Sequence, residues 1–286
     1  MTLAEITWTV DPAIFSIGSR EIRWYALAFI IGFATGYKIV ERMWKNEKIQ
    51  PGWLDPLLYY TFLGTLIGAR LGHCLFYSPG HYLANPVEIL KVWEGGLASH
   101  GGVLGIIIAI YFYSRFVSHR NMLWTFDKLV TPTGLVAALI RLGNLMNHEI
   151  YGHPTDLPWG FRFIKNLSQW RQGAEPVFTA PSHPTQIYEA VCYLLTFALC
   201  MWLYFKKEAW KKEGFIFGIF MICIFTARFF IEFVKEDQEA FESTMTLNMG
   251  QWLSIPFVLA GLFFVWRAVT EKKKPINSCR NEKNSK

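Results

Sequence analysis

Apolar residues run through this chain in long blocks separated by short polar connections. Seven blocks, at about 22–41, 57–77, 98–117, 129–146, 185–205, 214–234 and 250–267, approach the ~20 residues a helix needs to cross a hydrocarbon core about 30 Å thick. One such block is compatible with a buried helix of a soluble protein. Seven in succession are not, and the pattern predicts an all-α integral membrane protein with seven transmembrane helices. Small residues recur four apart at Gly32 and Gly36, at Gly64, Gly68 and Gly72, at Gly101 and Gly105, and at Gly214 and Gly218. In lipid that spacing lets helix backbones approach closely, so a compact bundle is expected.

Charge gives the orientation. Lys and Arg gather at 38–48, 115–128, 206–212 and 267–286, in alternate connections and the C-terminal tail, whereas the opposite side carries only Arg20, Arg23, Lys91, Arg162, Lys165, Arg171 and Lys235. The positive-inside rule then puts the N-terminus outside and the C-terminus in the cytoplasm. The organisation that follows is one membrane-embedded unit over 1–268, with residues 147–183 inserted as a small external head and 269–286 as a basic cytoplasmic tail. The head contains four prolines and the alternating piece "WGFRFIK", which reads as a strand or hairpin.

Composition agrees with this reading and narrows it. Of 286 residues 52% are hydrophobic and 17% charged, against roughly 25% charged in an ordinary soluble domain. The net charge of +6 is mostly a topology signal and only weakly a sign of anionic lipid contact, and it does not call for nucleic acid. Residues 1–20 lack the basic and apolar regions of a cleavable signal, so the first helix is expected to direct its own insertion. Cys74, Cys192, Cys200 and Cys223 sit in apolar helices and Cys279 in the tail, without metal-type spacing. Neither a metal nor a cofactor is predicted.

Against this background the polar groups inside the blocks stand out. An ionisable side chain at the bilayer centre costs on the order of 2.5–3.5 kcal/mol, so each needs a partner, a wet cavity or a task. Arg70, His73, His100, Arg141, His148, Glu149, His183, Glu189, Arg228 and Glu232 lie mostly toward the outer ends of their helices. Spacing puts Arg141, Asn144 and His148 on one helical stripe and Arg70, His73 and Tyr77 on another. Arg228 and Glu232 are four apart, which suits either a plain intrahelical ion pair or a shared role in binding. Guanidinium forks match phosphate oxygens and keep their charge when desolvated, which points to a phospholipid head group as the anion. His100 is followed by Gly101 and Gly102, which clear space for a substrate beside an imidazole able to accept a proton. In "SHPTQIYEA" a helix starts near Ser182 or His183 with Pro184 in its first turn. This brings His183, Gln186 and Glu189 toward one face, as an anchoring segment or as part of a site. A secondary transporter or proton-coupled carrier would also bury Arg, His and Glu. No inverted repeat is apparent, however, and the polar groups crowd one side instead of the midplane. A seven-helix receptor gives no reason for the two arginines and the Gly-flanked histidine to be concentrated together.

The motifs "HGGVLG" (100–105), "RLGNLMNHEIYG" (141–152), "HPTQIYE" (183–189), "ARFFIEF" (227–233) and "MGQWLSIP" (249–256) resemble, in order and spacing, the phosphatidylglycerol–prolipoprotein diacylglyceryl transferases of bacterial inner membranes. The similarity runs from about Phe15 to Arg267, and the second motif is its most specific part. It implies a seven-helix enzyme, with its site toward the periplasmic side, that moves diacylglyceryl from phosphatidylglycerol to the lipobox cysteine of a prolipoprotein. The nucleophile then belongs to the substrate. By the same resemblance His100, Arg141 and Arg228 are the catalytic candidates, and Tyr25, Asn144, Glu149, Gly152 and Glu232 are candidates for substrate binding; Arg70 joins the latter as a guanidinium inside an apolar block. The chain departs from the family pattern where His-Trp-Tyr-Gly is usual and Arg23-Trp24-Tyr25-Ala26 stands here. It departs again at His148, where Asn-Gly-Glu is common, and at His153, where an arginine often follows the signature glycine.

Overall fold

The computed structural model describes residues 6–18, 20–92, 95–236 and 245–271. All but the first few residues of the 269–286 tail, Cys279 included, therefore lie outside the described residues. Each of the seven apolar blocks falls on one long helix: α1 (Trp24–Glu47), α2 (Leu54–Phe76), α4 (Ser99–Tyr113), α5 (Met122–Met146), α7 (Thr185–Phe205), α8 (Phe215–Ile231) and α9 (Met249–Thr270). A short helix α3 (Pro79–Ala84) follows α2, and α6 (Leu167–Trp170) lies in the 147–184 connection. Among the described residues four helices are long and apolar enough by themselves to cross a membrane: α4 with the π-helical turn Ser114–Ser118, α5, α7 and α9. The apolar helix α8 has 17 residues. The outward faces of the long helices stay apolar, as at Ile67, Leu195, Leu259 and Trp266, all more than half exposed. So much exposed aliphatic and aromatic surface is stable against lipid and not against water.

The helices pair by backbone approach. A Cβ on Gly101 would lie 2.3 Å from the Gly68 carbonyl oxygen, and one on Gly105 would lie 2.1 Å from that of Gly64. The small residues of α2 and α4 thus form one backbone-to-backbone seam. Helix α5 is central: it packs on α1, α7 and α8, and α9 completes the group by packing on α8.

The two ends of the bundle differ. At one end Val40, Met43, Trp44, Leu54, Leu57, Ile110, Tyr113, Trp124, Cys200, Tyr204 and Ile216 join α1, α2, α4, α5, α7 and α8 in one apolar cluster. Lys128 is fully buried there, its Nζ 2.8 Å from Glu47 and 4.7 Å from the centre of the Trp124 ring. This corrects its placement among the connection charges: α5 begins at Met122, seven residues before the apolar block. Its first two turns carry Asp127 and Lys128 inward because each finds a partner. Asp127 accepts hydrogen bonds from the backbone N–H of Gly214 and Phe217, both at 2.7 Å, and so caps the start of α8.

At the other end the apolar core thins to small clusters around Ala138, Ala190 and Tyr193 and around Leu145, Phe161 and Phe163. Irregular chain covers it. Strand β1 (Ile6–Thr7) pairs in parallel with β4 (Phe161–Arg162), and β2 (Ala13–Ile17) forms a hairpin with β3 (Arg20–Arg23). Within "WGFRFIK", antiparallel bridges Phe161↔Ser182 and Ile164↔Phe178 give the hairpin geometry that the alternation implied. Arg171 ties this piece to the β2–β3 hairpin through Asp11 at 3.1 Å and Glu21 at 2.8 Å.

Candidate active site

Helix α5 ends at Met146, so the expected stripe of Arg141, Asn144 and His148 is cut before its last member. Asn144 and Arg141 stay together, with an Arg141 Nη1 to Asn144 Oδ1 hydrogen bond of 3.4 Å. His148 instead sits in a left-handed turn at φ 54°, followed by Ile150 at φ 60°. Such angles cost a side chain conformational energy that glycine avoids. Here the imidazole compensates: Nε2 donates to the Val10 carbonyl at 2.9 Å, and Nδ1 accepts from the Ile164 N–H at 3.1 Å. His148 is thus a neutral clamp between the N-terminal segment and the 147–184 connection. Burial holds its pKa below the usual histidine range against the Val10 carbonyl and Asp11, which favour the charged form.

The same turn folds Glu149 back over the helix end. Its carboxylate accepts from Asn144 Nδ2 at 2.8 Å and Asn147 Nδ2 at 3.0 Å, and its carbonyl accepts from Gln186 at 2.6 Å. Tyr25, in the first turn of α1, lies against Gly143, where a Cβ would come within 2.7 Å of its ring. From there it feels the charges of both Glu149 and Arg141.

Beneath this layer is a buried charge cluster. Arg141 Nε lies 2.8 Å from Glu189 Oε2 on α7, and Lys235 Nζ lies 3.7 Å from Glu189 and 3.7 Å from Glu232. Glu189 is fully buried, with the Tyr193 hydroxyl donating to it at 3.5 Å. Arg228 faces the same group, close enough to bear electrostatically on Tyr193 and Lys235. It does not close an ion pair with Glu232, whose backbone still bonds to the Arg228 carbonyl but whose carboxylate turns toward Lys235 and Gly250. The Arg228 Nε and Glu232 Oε2 are buried without a hydrogen-bond partner among the described residues. An unpaired guanidinium N–H in such a setting is an anion-binding group waiting for an acceptor.

Gly152 permits the assembly. Its backbone pairs with Lys235, and a Cβ there would lie 2.2 Å from the Val234 carbonyl oxygen and 2.8 Å from Thr185.

Arg141, Arg228, Tyr25, Asn144, Glu149, Gly152 and Glu232 therefore converge, while two candidates stand apart. Arg70 is buried, with four of its five N–H donors directed to the carbonyls of Glu88, Ile89, Gly95 and Gly96 and its guanidinium over the Tyr82 ring. It organises the loop between α3 and α4. His100 is exposed at the start of α4, its ring 5.6 Å from Phe76 and 5.8 Å from Tyr77. Lys235 and Tyr193 were missed, since a single lysine ending an apolar run and one tyrosine inside another carry no spacing signal. Of the "SHPTQIYEA" group, α7 starts at Thr185 with Pro184 just before it. Glu189 points into the cluster and Gln186 is buried against the Glu149 carbonyl, while the His183 ring lies 3.3 Å from the Tyr188 hydroxyl and its backbone pairs with Gly152 and His153.

The sequence matches a described family. The family model for prolipoprotein diacylglyceryl transferase matches residues 12–267. The phosphatidylglycerol–prolipoprotein diacylglyceryl transferase of Porphyromonas gingivalis is 53% identical over 283 residues, covering 96% of this chain and 98% of its own. That of Chloroherpeton thalassium is 43% identical, covering 94% of this chain and 97% of its own, and that of Bacteroides fragilis is 43% identical, covering 92% and 95%. With a match over nearly its whole length, the chain belongs to the prolipoprotein diacylglyceryl transferase family.

Proposed function

We propose that this protein transfers the diacylglyceryl group of phosphatidylglycerol to the lipobox cysteine of a prolipoprotein. In this reading the seven long helices span the bacterial inner membrane, the N-terminus and the 147–183 head lie on the outer side, and the charge cluster sits beneath the head at the outer leaflet. The observation that carries it is the pair of guanidinium groups, Arg141 and Arg228, turned to one buried cluster with an Arg228 N–H unpartnered. A lipid phosphodiester supplies the missing acceptor.

The substrate cysteine, as thiolate, attacks the glycerol carbon that bears the phosphoester. A carbon–sulfur bond forms, the carbon–oxygen bond to phosphate breaks, and glycerol phosphate leaves with the bonding pair. A thiol of pKa about 8.5 needs help to ionise near neutral pH. His100, exposed, followed by Gly101 and Gly102 and set apart from the charge cluster, is the proposed acceptor of its proton as the thiol approaches. Arg141 and Arg228 stabilise the charge that grows on the departing phosphate, and Tyr25, Asn144 and Glu149 hold Arg141 and the lipid in register. Arg70 acts indirectly, by shaping the loop that leads into α4.

The test is incubation of the purified protein with phosphatidylglycerol and a lipobox peptide, followed by mass spectrometry. The expected result is a diacylglyceryl adduct on the peptide and free glycerol phosphate, and a His100→Ala variant is expected to lose at least about a hundredfold in rate. An unaltered peptide mass with the wild-type protein would overturn the assignment, and near-normal transfer by His100→Ala would remove the base.

A further inference from the structure

The chemistry above leaves one buried charge without a task. Lys235 is 3% exposed, and its ammonium group lies 3.7 Å from both Glu189 Oε1 and Glu232 Oε2. Lysine is a compact point charge, unable to make the forked contact that guanidinium offers a phosphate. Its position between two carboxylates is that of a counter-ion.

Charge bookkeeping shows what it accomplishes. Among the described residues the buried cluster holds three cations, Arg141, Arg228 and Lys235, and two anions, Glu189 and Glu232. Glu149 stands outside this balance, since it is exposed and held by the neutral amides of Asn144 and Asn147. The cluster carries one net positive charge, which matches the single negative charge of a phosphodiester. Without Lys235 the two carboxylates would offset both arginines, and an incoming phosphate would compete with Glu189, already 2.8 Å from Arg141, for the same N–H groups.

The backbone is built to deliver this residue. After α8 ends, the chain turns so that Lys235 lies three residues beyond Glu232 and reaches across to Glu189 on α7. It is held there by the antiparallel pairing of Lys235 with Gly152 and by the His153 N–H donating to the Val234 carbonyl at 2.9 Å.

We infer that Lys235 is a positioning residue for the transfer, neutralising Glu189 and Glu232 so that Arg141 and Arg228 remain free for the lipid phosphodiester. The inference rests on the transferase reading, and the experiment separates the two. Full-length wild type, Lys235→Met, Lys235→Arg and the double variant Glu189→Gln/Lys235→Met are compared with phosphatidylglycerol and a lipobox peptide, with thermal unfolding recorded for each. Lys235→Met is expected to raise KM for phosphatidylglycerol about tenfold or more while kcat changes less than about threefold. Lys235→Arg is expected to restore KM, and the double variant, which has one carboxylate fewer, to recover most of it. If Lys235→Met fails to fold because it strands a buried carboxylate, the double variant is expected to fold and bind lipid. An unchanged KM in Lys235→Met, a fall in kcat alone, or a double variant that is unfolded or no better than the single one would overturn the inference. A wild-type protein that transfers nothing would remove the transferase reading itself.

Discussion

Arg141 shows what a single residue contributes. Its Nε meets Glu189, its Nη1 meets Asn144 and Tyr193 also hydrogen-bonds it, so part of the guanidinium's donor set is spent on positioning and only its remaining N–H groups are left for an anion. Lysine in its place keeps the charge and loses the fork. Arg141→Lys is expected to lower transfer by about two orders of magnitude with little loss of thermal stability, measured as kcat/KM on the purified variant; near wild-type activity would rule out bidentate recognition at this position. His148 gives a pH signature. Its folded pKa lies below the ordinary ~6.5 of histidine, because burial disfavours the charged ring and the Ile164 N–H needs an unprotonated Nδ1. The unfolded chain then binds the extra proton more readily, so the contribution of His148 to stability is complete above about pH 6.5 and is lost as pH falls below it. Unfolding of wild type and His148→Ala at pH 7.5 and pH 5.5 checks this: the gap between the two proteins is expected to narrow at the lower pH. Arg141 and Arg228 could be singled out in the sequence because a guanidinium inside an apolar block needs a partner or a task, but the same reasoning singled out Arg70, which loop carbonyls take up. The role of His148 was not legible, since its partners Val10 and Ile164 are 138 and 16 residues away in sequence.

At the scale of elements, helix existence followed directly from the length of the apolar blocks, and the ends moved where polar residues found partners. Helix α1 runs on to Glu47, six residues past its block, and α5 begins at Met122, seven before its own. In both cases Glu47 and Lys128 extend the helix by pairing with each other at 2.8 Å. Helix α8 stops at Ile231 and not at 234, which turns Glu232 and Lys235 into the charge cluster. The expected four-residue spacing of Arg228 and Glu232 never becomes an ion pair. The α2–α4 seam has no slack, because any side chain at Gly101 must enter the space of the Gly68 carbonyl. Gly101→Val is expected to destabilise the protein by several degrees in Tm, and His100, one residue before it, is expected to lose activity with it. Equal Tm values for the variant and wild type would show that the two helices can move apart at no cost.

The whole molecule is asymmetric along the helices. One end is sealed by the apolar cluster and the buried Lys128–Glu47 pair, while the other is polar and roofed by β1, β4 and the 147–184 chain. Under the orientation proposed from charge, the polar end faces outward. Single cysteines introduced at Gln172, near the Arg171 latch, and at Lys207, beyond α7, test this in a background without the native cysteines. Gln172→Cys is expected to react with an impermeant maleimide on intact spheroplasts, and Lys207→Cys only after permeabilisation. The reverse pattern would invert the topology and place the charge cluster on the wrong side for a secreted substrate.

The sequence by itself determined which solvent the chain occupies, how many long helices it forms and which residue types confront the bilayer. These depend on local quantities: the length of an apolar run, the distribution of Lys and Arg, and the cost of a charge in oil. Only the tertiary structure decided which polar groups meet. Lys235 reaches Glu189 from another helix, Gly152 admits the segment that carries it, Arg70 is consumed by a loop, and His148 leaves its helix to fasten the roof. Those outcomes turn on where helices end and how closely two backbones approach, which is fixed by packing between segments far apart in the chain and leaves no periodic trace within any one of them.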